Sequence, residues 1–431
     1  MSLSRVFPPL LLIASLVLCA APSPAAISTG VFLDGAPDSQ ITGMFGATRQ
    51  HAIVQYALLL SISPGGDHAT LMNRVDSHGA VPMCVWGTAS YTLDQIISGS
   101  QDARIQGVAD AVAAFGKPVI LAFNAEFNLI TSPYYGDPKK YVQAWKRAHD
   151  IFVWRGAANA QWAFCPNYAS NPPSTDYSAY YPGDEYVDWV GALGLDTDWA
   201  HGGSAGLPFS AIFGPVLADE AARYPHKPQI VMWTATAETD ATRKASWISA
   251  TYASMAAFPK LRAAVWYNRK DAAARDYRVW DTSGVPANVT NAYKTAISGA
   301  GFLATLPPYD ELIPGDGGGG LGITPVPSTV SRGAKITLNY AFTGIAHRVD
   351  AYLGVVMTDG SLLVMDPSQN FRTKIVPIAA NYDVSGNPSG GLSFTVPTTI
   401  PVGFYTFKAV WVPAGAPPTA TGMVTAPVKV Y

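Results

Sequence analysis

Apolar and polar positions along this chain alternate between two periods, and this alternation predicts strands and helices in turn. Eight short apolar runs are bounded by turn residues, as in strands buried on both faces of a parallel sheet. They cover residues 30–33, 53–62, 81–86, 118–123, 160–166, 186–191, 228–233 and 261–267. Helical patterns follow most of them, at residues 39–50, 69–78, 102–115, 137–154, 210–223, 241–256 and 289–298. This order predicts an α/β fold, a (β/α)8 TIM barrel over residues 27–306.

Polar groups begin directly after the fourth predicted strand. The apolar run Pro118-Val-Ile-Leu-Ala-Phe123 is followed by Asn124, Glu126 and Asn128. In a (β/α)8 barrel the loops that follow the strands build the active site at one end of the barrel. Glu126 is therefore a candidate functional carboxylate, and Asn128 is a candidate for substrate binding. The alternative for Glu126 is a structural carboxylate that accepts hydrogen bonds from loop amides.

The pattern changes after residue 306. Residues 307–321 include Pro314-Gly-Asp-Gly-Gly-Gly-Gly320, a composition typical of a flexible linker. Residues 322–431 hold strand-like segments without a helical pattern. The segments are residues 335–342, 349–357, 362–365, 392–396 and 404–412, with Asp359-Gly360 as a turn between two of them. We therefore expect a second domain, a small all-β sandwich of immunoglobulin-like type that lacks the cysteine pair of that fold.

Residues 1–26 have the features of a secretory signal peptide. Arg5 precedes an apolar run from Leu10 to Ala21, and the small residues of Pro22-Ser-Pro-Ala-Ala26 follow it. No other stretch is long and apolar enough to span a membrane. We expect a secreted or periplasmic protein with cleavage near Ala25 or Ala26, and no membrane span after the signal is removed.

The charge pattern argues against a nucleic-acid partner. Charged residues make up 13% of the chain, about half the usual share, and the formal net charge is -2. No run of Lys or Arg supplies the positive surface that nucleic acids require.

The sequence also offers no motif for a cofactor or a metal ion. The 7 histidines are scattered, and none are paired at the four-residue spacing of a helical zinc site. The glycine run lies in the predicted linker, so it does not form a phosphate loop between a strand and a helix. Cys84 and Cys165 remain after signal removal, and we expect two buried thiols, with a disulfide as the alternative.

A series of motifs suggests a known family. The first are Ser98-Gly-Ser-Gln-Asp-Ala-Arg104, Phe115-Gly-Lys-Pro118, Tyr141-Val-Gln-Ala-Trp145 and His149-Asp-Ile-Phe152. Further along come Gly156-Ala-Ala-Asn159, Cys165-Pro-Asn167 and the long Tyr181-Pro-Gly-Asp-Glu-Tyr-Val-Asp-Trp-Val-Gly191. In this order they resemble family 26 of the glycoside hydrolases, the β-mannanase-like barrels, over about residues 30–300. In the long motif we expect solvated loop and helix-cap roles, and not catalysis, for the acidic residues Asp184, Glu185 and Asp188.

The resemblance implies a retaining glycoside hydrolase with two carboxylates about 5 Å apart. One follows the fourth strand and acts as acid/base, and Glu126 matches it, although Ala122 and Ala125 stand where the family usually has Arg and His. The other follows the seventh strand and acts as nucleophile. Its position is occupied by Trp233, and an indole cannot attack an anomeric carbon. Glu238 matches a second acidic position of the family.

Three functions are open on this pattern. The barrel hydrolyses a β-linked polysaccharide with Glu126 as acid and a displaced carboxylate as its partner, for which the candidates are Asp196, Asp198 and Glu238. A carboxyl separation above about 6.5 Å would then indicate an inverting mechanism. Alternatively, the barrel binds sugars without cleaving them, on the flat faces of Trp86, Trp199, Trp233 and Trp266. The third function is polysaccharide assembly. In each case the expected partner is a polysaccharide or oligosaccharide of the mannan or glucan type.

Overall fold

The computed structural model describes residues 26–59, 65–88, 90–197, 206–225, 227–271, 273, 275–312, 320–343, 348–358, 361–368, 370–385, 388–413 and 424–431. The predicted signal peptide up to residue 25, Asp198, Trp199 and the predicted turn at 359–360 lie outside the described residues. None of the helices in these ranges is long and apolar enough to cross a membrane.

Eight parallel strands form a closed barrel, as predicted. They are β1 (Ile27–Phe32), β2 (Ile53–Leu59), β3 (Val81–Gly87), β4 (Val119–Phe123), β5 (Ala160–Phe164), β6 (Trp189–Leu193), β7 (Gln229–Thr234) and β8 (Leu261–Tyr267). Each strand pairs with the next along the chain, and β8 pairs with β1 to close the ring. A short ninth strand, β9 (Phe302–Leu303), also pairs with β1 in parallel. The α/β barrel prediction is therefore confirmed.

Helices surround the barrel. They are α1 (Asp38–Ala47), α2 (Gly66–Ser77), α3 (Leu93–Ile97), α4 (Asp102–Phe115), α5 (Pro138–Trp154), α6 (Phe209–Arg223), α7 (Ala241–Ser254), α8 (Ala287–Ile297) and α9 (Tyr309–Leu312). The sequence pattern did not predict α3 and α9, because a helix of one turn is too short to show a period. The start of α5 follows from its cap, since the Asp137 carboxylate accepts the Lys140 N–H at 3.0 Å and Pro138 follows it in the first turn.

Aromatic rings fill the layer between the strands and the helices. Trp86, Phe123 and Trp162, on three neighbouring strands, have ring centroids between 5.1 and 6.4 Å apart. Phe152 of α5 lies 5.5 Å from Trp86 and 5.1 Å from Trp162. Through these contacts α5 packs against β3, β4 and β5, the strands that lead to the candidate site.

The opposite end of the barrel, where the strands begin, is closed by the segment that follows α8. Tyr309 of α9 packs edge-on against Trp189 at 6.0 Å and donates to the carbonyl of Asp188 at 2.5 Å. Leu312 is buried in the barrel core. The prediction of a flexible linker over residues 307–321 is thus corrected for Tyr309–Leu312, because this segment is helical and Tyr309 and Leu312 pack on the barrel.

The long motif at residues 181–191 also serves this end of the barrel. Lys227 donates to the carbonyls of Asp184 at 2.7 Å and Val187 at 2.6 Å. The carboxylate of Asp188 accepts the Trp162 N–H at 2.6 Å. These bonds join the segment before β6 to β5 and β7, so Asp184 and Asp188 lie at the base of the barrel and far along the strands from the candidate site.

Residues 320–431 form a second, all-β domain, as predicted. One sheet contains β10 (Gly320–Val326), β12 (Lys335–Thr343) and β17 (Ser389–Thr395). The other contains β11 (Thr329–Val330), β13 (Arg348–Val356), β14 (Leu362–Met365), β15 (Phe371–Arg372), β16 (Ala379–Asp383), β18 (Gly403–Pro413) and β19 (Val424–Val430). Apolar side chains from both sheets form one core, which makes the domain a sandwich.

The sandwich contacts the barrel through cations that lie on aromatic rings. Lys408 of β18 lies 5.6 Å from the ring centre of Tyr186, in the long motif. Lys429 of β19 lies 5.1 Å from the ring of Trp154 at the end of α5. The sandwich therefore contacts α5 and the base of the barrel.

Candidate active site

Glu126 lies on the loop that leaves β4, at the end of the barrel where active sites form. Its backbone has φ +59°, and Asn124 before it has φ +47°. Both values fall in the left-handed region, which is unfavourable for residues other than glycine. Two backbone hydrogen bonds hold the turn, from Glu126 N–H to the carbonyl of Cys165 at 3.2 Å and from Leu129 N–H to the carbonyl of Glu126 at 3.2 Å. The loop thus turns sharply and directs Glu126 toward the end of β5.

The carboxyl group of Glu126 has one direct partner among the described side chains. Asn167, just after β5, donates from Nδ2 to Oε1 at 2.9 Å. Burial raises the pKa of Glu126 above its ordinary value of 4.5, and the hydrogen bond from Asn167 offsets only part of this shift. A carboxyl group in such a setting keeps its proton to higher pH than an exposed one, which is the property required of a general acid.

Asn128 joins the loops after β4 and β5 and has no free side-chain group. It is buried, and its Nδ2 donates to the carbonyl of Asn167 at 2.9 Å and to Ser170 Oγ at 3.2 Å. Its Oδ1 accepts the Asn167 N–H at 2.8 Å. The prediction that Asn128 binds substrate is therefore corrected: both of its polar atoms are used within the protein.

Trp233 points into the barrel. Its Nε1 donates to Gln55 Oε1 on β2 at 2.6 Å, and since β2 and β7 are not neighbours, this bond crosses the interior. The pairing of β7 shifts register between Val231 and Trp233 toward β6 and between Val231 and Thr234 toward β8, as in a β-bulge, which re-aims the Trp233 side chain. The indole packs against Tyr267 at 4.8 Å and Phe32 at 5.7 Å. The indole is partly exposed to solvent.

Trp86 and Trp266 point the other way, into the helix layer. Both are fully buried. Trp266 donates to the carbonyl of Tyr277 at 2.9 Å and packs against Trp247 of α7 at 6.1 Å. The prediction that these two rings bind sugar is wrong, because strand residues alternate in direction and these two face away from the barrel interior. Trp199, the remaining ring of that set, lies outside the described residues.

Two of the three carboxylates predicted as partners of Glu126 are engaged in internal bonds. Asp196 is fully buried and accepts from Thr236 Oγ1 at 2.7 Å and Leu207 N–H at 3.1 Å. Glu238 accepts from Arg243 at 2.8 and 3.1 Å and from the Asp240 N–H at 2.6 Å. Burial opposes its ionisation, but these donors lower the pKa of Glu238 below its ordinary value. The third candidate, Asp198, lies outside the described residues.

Sequence reasoning missed the side chains that hold the site. Gln55, Phe32 and Tyr267 belong to barrel strands and were not singled out, and Asn167 was named only within the Cys165-Pro-Asn167 motif, without a role. Asn167 carried the same signal as Glu126, a polar residue at the end of an apolar strand.

Within the described ranges no group of three or more His, Cys, Asp or Glu side chains could hold a metal ion, and Cys84 and Cys165 are buried free thiols.

Comparisons of sequence reveal one similar characterised protein. No family model matches the chain. Endoglucanase H of Acetivibrio thermocellus is 30% identical over 238 residues, which is 53% of this chain and 25% of that protein. The chain thus spans about a quarter of the length of this curated relative.

Comparisons of structure lead to mannanases. The catalytic domain of a family 26 endo-β-1,4-mannanase from a Bacillus species has a TM-score of 0.50 and 16% identity, covering 65% of this chain and 88% of that chain. A modular endo-β-1,4-mannanase from Cellulomonas fimi has a TM-score of 0.49 and 14% identity, covering 94% of both chains. At these identities the likeness concerns the fold. The fold of the barrel resembles that of the family 26 barrels, as the motifs indicated.

Proposed function

We propose that this chain is an exported protein whose barrel hydrolyses a β-linked polysaccharide of the mannan or glucan type, with Glu126 as the general acid. The observation that carries this proposal is the half-buried carboxyl of Glu126 at the end of β4, where burial raises its pKa. The similarity to Endoglucanase H supports a glucan substrate, and the family 26 motifs support a mannan. The apolar run and small residues at the N-terminus support export.

In the proposed reaction, Glu126 transfers its proton to the glycosidic oxygen as the bond to the anomeric carbon breaks. A covalent sugar intermediate cannot form on Trp233, because an indole has no suitable nucleophilic oxygen. Water must then supply the new C–O bond, and a second carboxylate must accept its proton. Asp196 and Glu238 are engaged in internal hydrogen bonds, so of the three candidates that the sequence offers we propose Asp198 as the partner.

The test is release of reducing ends from β-mannan and β-glucan by the wild-type protein and by Glu126→Gln. We expect the substitution to lower kcat by about 10²- to 10⁴-fold, the usual contribution of a general acid. Asp198→Asn should have a comparable effect. Asp94→Asn is the matched control, since Asp94 is an exposed carboxylate in α3 that pairs with Lys140. Full activity of Glu126→Gln would remove Glu126 from the mechanism.

A second candidate function is binding of the polysaccharide without cleavage. Trp233 favours binding without cleavage, because this side chain stands at the position of the family's nucleophile and is held there by its hydrogen bond to Gln55. Its partly exposed ring, beside Tyr267, is a surface on which a sugar ring could stack. Calorimetric binding of mannan or glucan oligosaccharides, together with no reducing ends from the wild-type protein, would establish this function. A wild-type protein that neither binds nor cleaves these glycans would favour a role in polysaccharide assembly.

A further inference from the structure

We propose that Asn128 and Asn167 form a clamp that determines which oxygen of Glu126 carries the transferable proton. This inference rests on the proposed function, since the proton matters only if Glu126 acts as an acid. In this arrangement Asn167 is a positioning residue that acts through Glu126, and Asn128 is a positioning residue that acts through Asn167.

The first step is the direction of the hydrogen bond. Asn167 Nδ2 lies 2.9 Å from Glu126 Oε1. An amide N–H group donates and cannot accept, so Oε1 must be the acceptor in this contact. When Glu126 is protonated, its proton therefore resides on Oε2. Glu126 can therefore donate its proton from Oε2 alone, and not from either carboxyl oxygen.

The second step is that the Asn167 amide cannot be reversed without cost. Its Oδ1 accepts the N–H of Ala169 at 3.2 Å. A reversed amide would place its NH2 group against that N–H, so this bond would be lost whether or not Glu126 is protonated. Its oxygen would face Oε1 of Glu126, where it could accept only from a protonated carboxyl. The hydrogen-bond network thus assigns one orientation to the side chain.

The third step is the support from the buried Asn128. It forms two bonds with the backbone of Asn167, one to its carbonyl at 2.9 Å and one from its N–H at 2.8 Å. The backbone of Asn128 also accepts the Asn171 N–H at 3.1 Å. Asn128 therefore joins the loop after β4 to the loop after β5. This link keeps the Asn167 Nδ2 donor in a fixed position relative to Glu126.

The fourth step concerns the groups that surround Glu126. Among the described residues, burial and the Asn167 hydrogen bond are the two influences that shift its pKa, and they act in opposite directions. The neighbouring titratable residue Cys165, just after β5, accepts the Glu126 N–H with its carbonyl, and burial raises the pKa of its thiol, which keeps the thiol neutral. Removal of the Asn167 donor should therefore raise the pKa of Glu126 further, because no other described residue compensates for burial.

The experiment uses the full chain with ¹³Cδ-labelled glutamate, in which the Glu126 signal is assigned as the one missing from Glu126→Gln. The carboxyl shift is followed against pH in the wild-type protein, Asn167→Ala, Asn167→Asp and Asn128→Ala. Asn159→Ala is the control, since Asn159 precedes the same strand at its other end and bonds to the carbonyls of Val112 and Lys117. Asn167→Asp preserves the shape of the side chain, so this variant is available if Asn167→Ala does not fold.

We expect the pKa of Glu126 to rise in Asn167→Ala and to rise more in Asn167→Asp, where two carboxyl groups face each other. Asn128→Ala should raise it as well, and Asn159→Ala should leave it unchanged. In the active enzyme, the alkaline limb of the pH–activity profile should move to higher pH as the pKa of Glu126 rises. In Asn167→Ala, kcat/KM should fall by up to about 100-fold, because the acid is misplaced. An unchanged or lower pKa in both Asn167 variants would overturn the clamp. The titration requires no turnover, so a failure of the proposed hydrolysis is recognised separately, as a wild-type protein that releases no reducing ends.

Discussion

Replacement of Trp233 by phenylalanine tests whether the indole is a structural part of the barrel interior. The change keeps an aromatic ring beside Phe32 and Tyr267 but removes the N–H that donates to Gln55 at 2.6 Å. Gln55 is fully buried, and among the described residues its other polar atom, Nε2, donates to the sulfur of Met83 at 3.4 Å. The substitution would therefore leave a buried carbonyl oxygen without a donor.

The size of the effect follows from that oxygen. A buried acceptor that loses its partner costs about 1–3 kcal/mol, so the free energy of unfolding should fall by about 2 kcal/mol in Trp233→Phe. Trp233→Ala removes the ring contacts as well and should cost about 3 kcal/mol or more. Replacing Gln55 by methionine in addition to Trp233→Phe removes both polar partners, and most of the loss should then be recovered.

Urea denaturation followed by tryptophan fluorescence and circular dichroism measures these differences. The comparison of Trp233→Phe, Gln55→Met and the double variant gives the coupling energy between the two side chains, which should be about 1–2 kcal/mol. If the two single losses add to within about 0.5 kcal/mol, the bond across the barrel makes no contribution. The reasoning about Trp233 would then be refuted, and its role would rest on ring packing alone.

Two further predictions concern buried carboxyl groups. Glu220 of α6 is fully buried, and no described residue is within hydrogen-bonding geometry of its carboxyl oxygens. Burial and the neighbouring Asp219 raise the pKa of Glu220 well above 4.5, and the nearby Gly191 backbone opposes this shift only in part. The stability that this protonated acid contributes is fully present below pH 4.5 and is lost as pH rises, by up to about 1.4 kcal/mol per pH unit. Glu220→Gln should therefore flatten the decline of the unfolding free energy between about pH 5 and pH 8. An unchanged slope in this variant would contradict the prediction. Arg243→Ala should lower the free energy of unfolding, since it leaves the buried carboxylate of Glu238 with fewer donors. Denaturation of Arg243→Ala beside Arg243→Lys measures the loss, and equal stability of the wild-type protein and Arg243→Ala would show that the pair is unimportant.

The fold could be predicted from the sequence because its signals are local. Each barrel strand is a short apolar run, and the predicted β8 at residues 261–267 has the observed limits. The cap at Asp137 likewise located α5. The short helix α9 escaped detection because its place is decided by a distant contact, the packing of Tyr309 on Trp189, and local composition pointed to a linker.

The candidate site was only partly predictable, and the direction of the side chains explains why. A strand that is apolar on both faces gives no sign of which residues point inward. Trp86, Trp233 and Trp266 all lie near strand ends, yet only Trp233 faces the interior, and it does so at a β-bulge that the sequence does not reveal. Glu126 was located correctly at the end of β4 because the change from apolar to polar residues marks the strand end itself.

The helix that closes the base of the barrel also determines where the two domains can be separated. A cut after residue 306, where the composition changes, would remove Tyr309 and Leu312 and leave Trp189 and the Asp188 carbonyl open to water. A cut after Leu312 would keep that closure intact. For recombinant expression of the barrel alone, the domain boundary therefore lies six residues beyond the one that the sequence suggests.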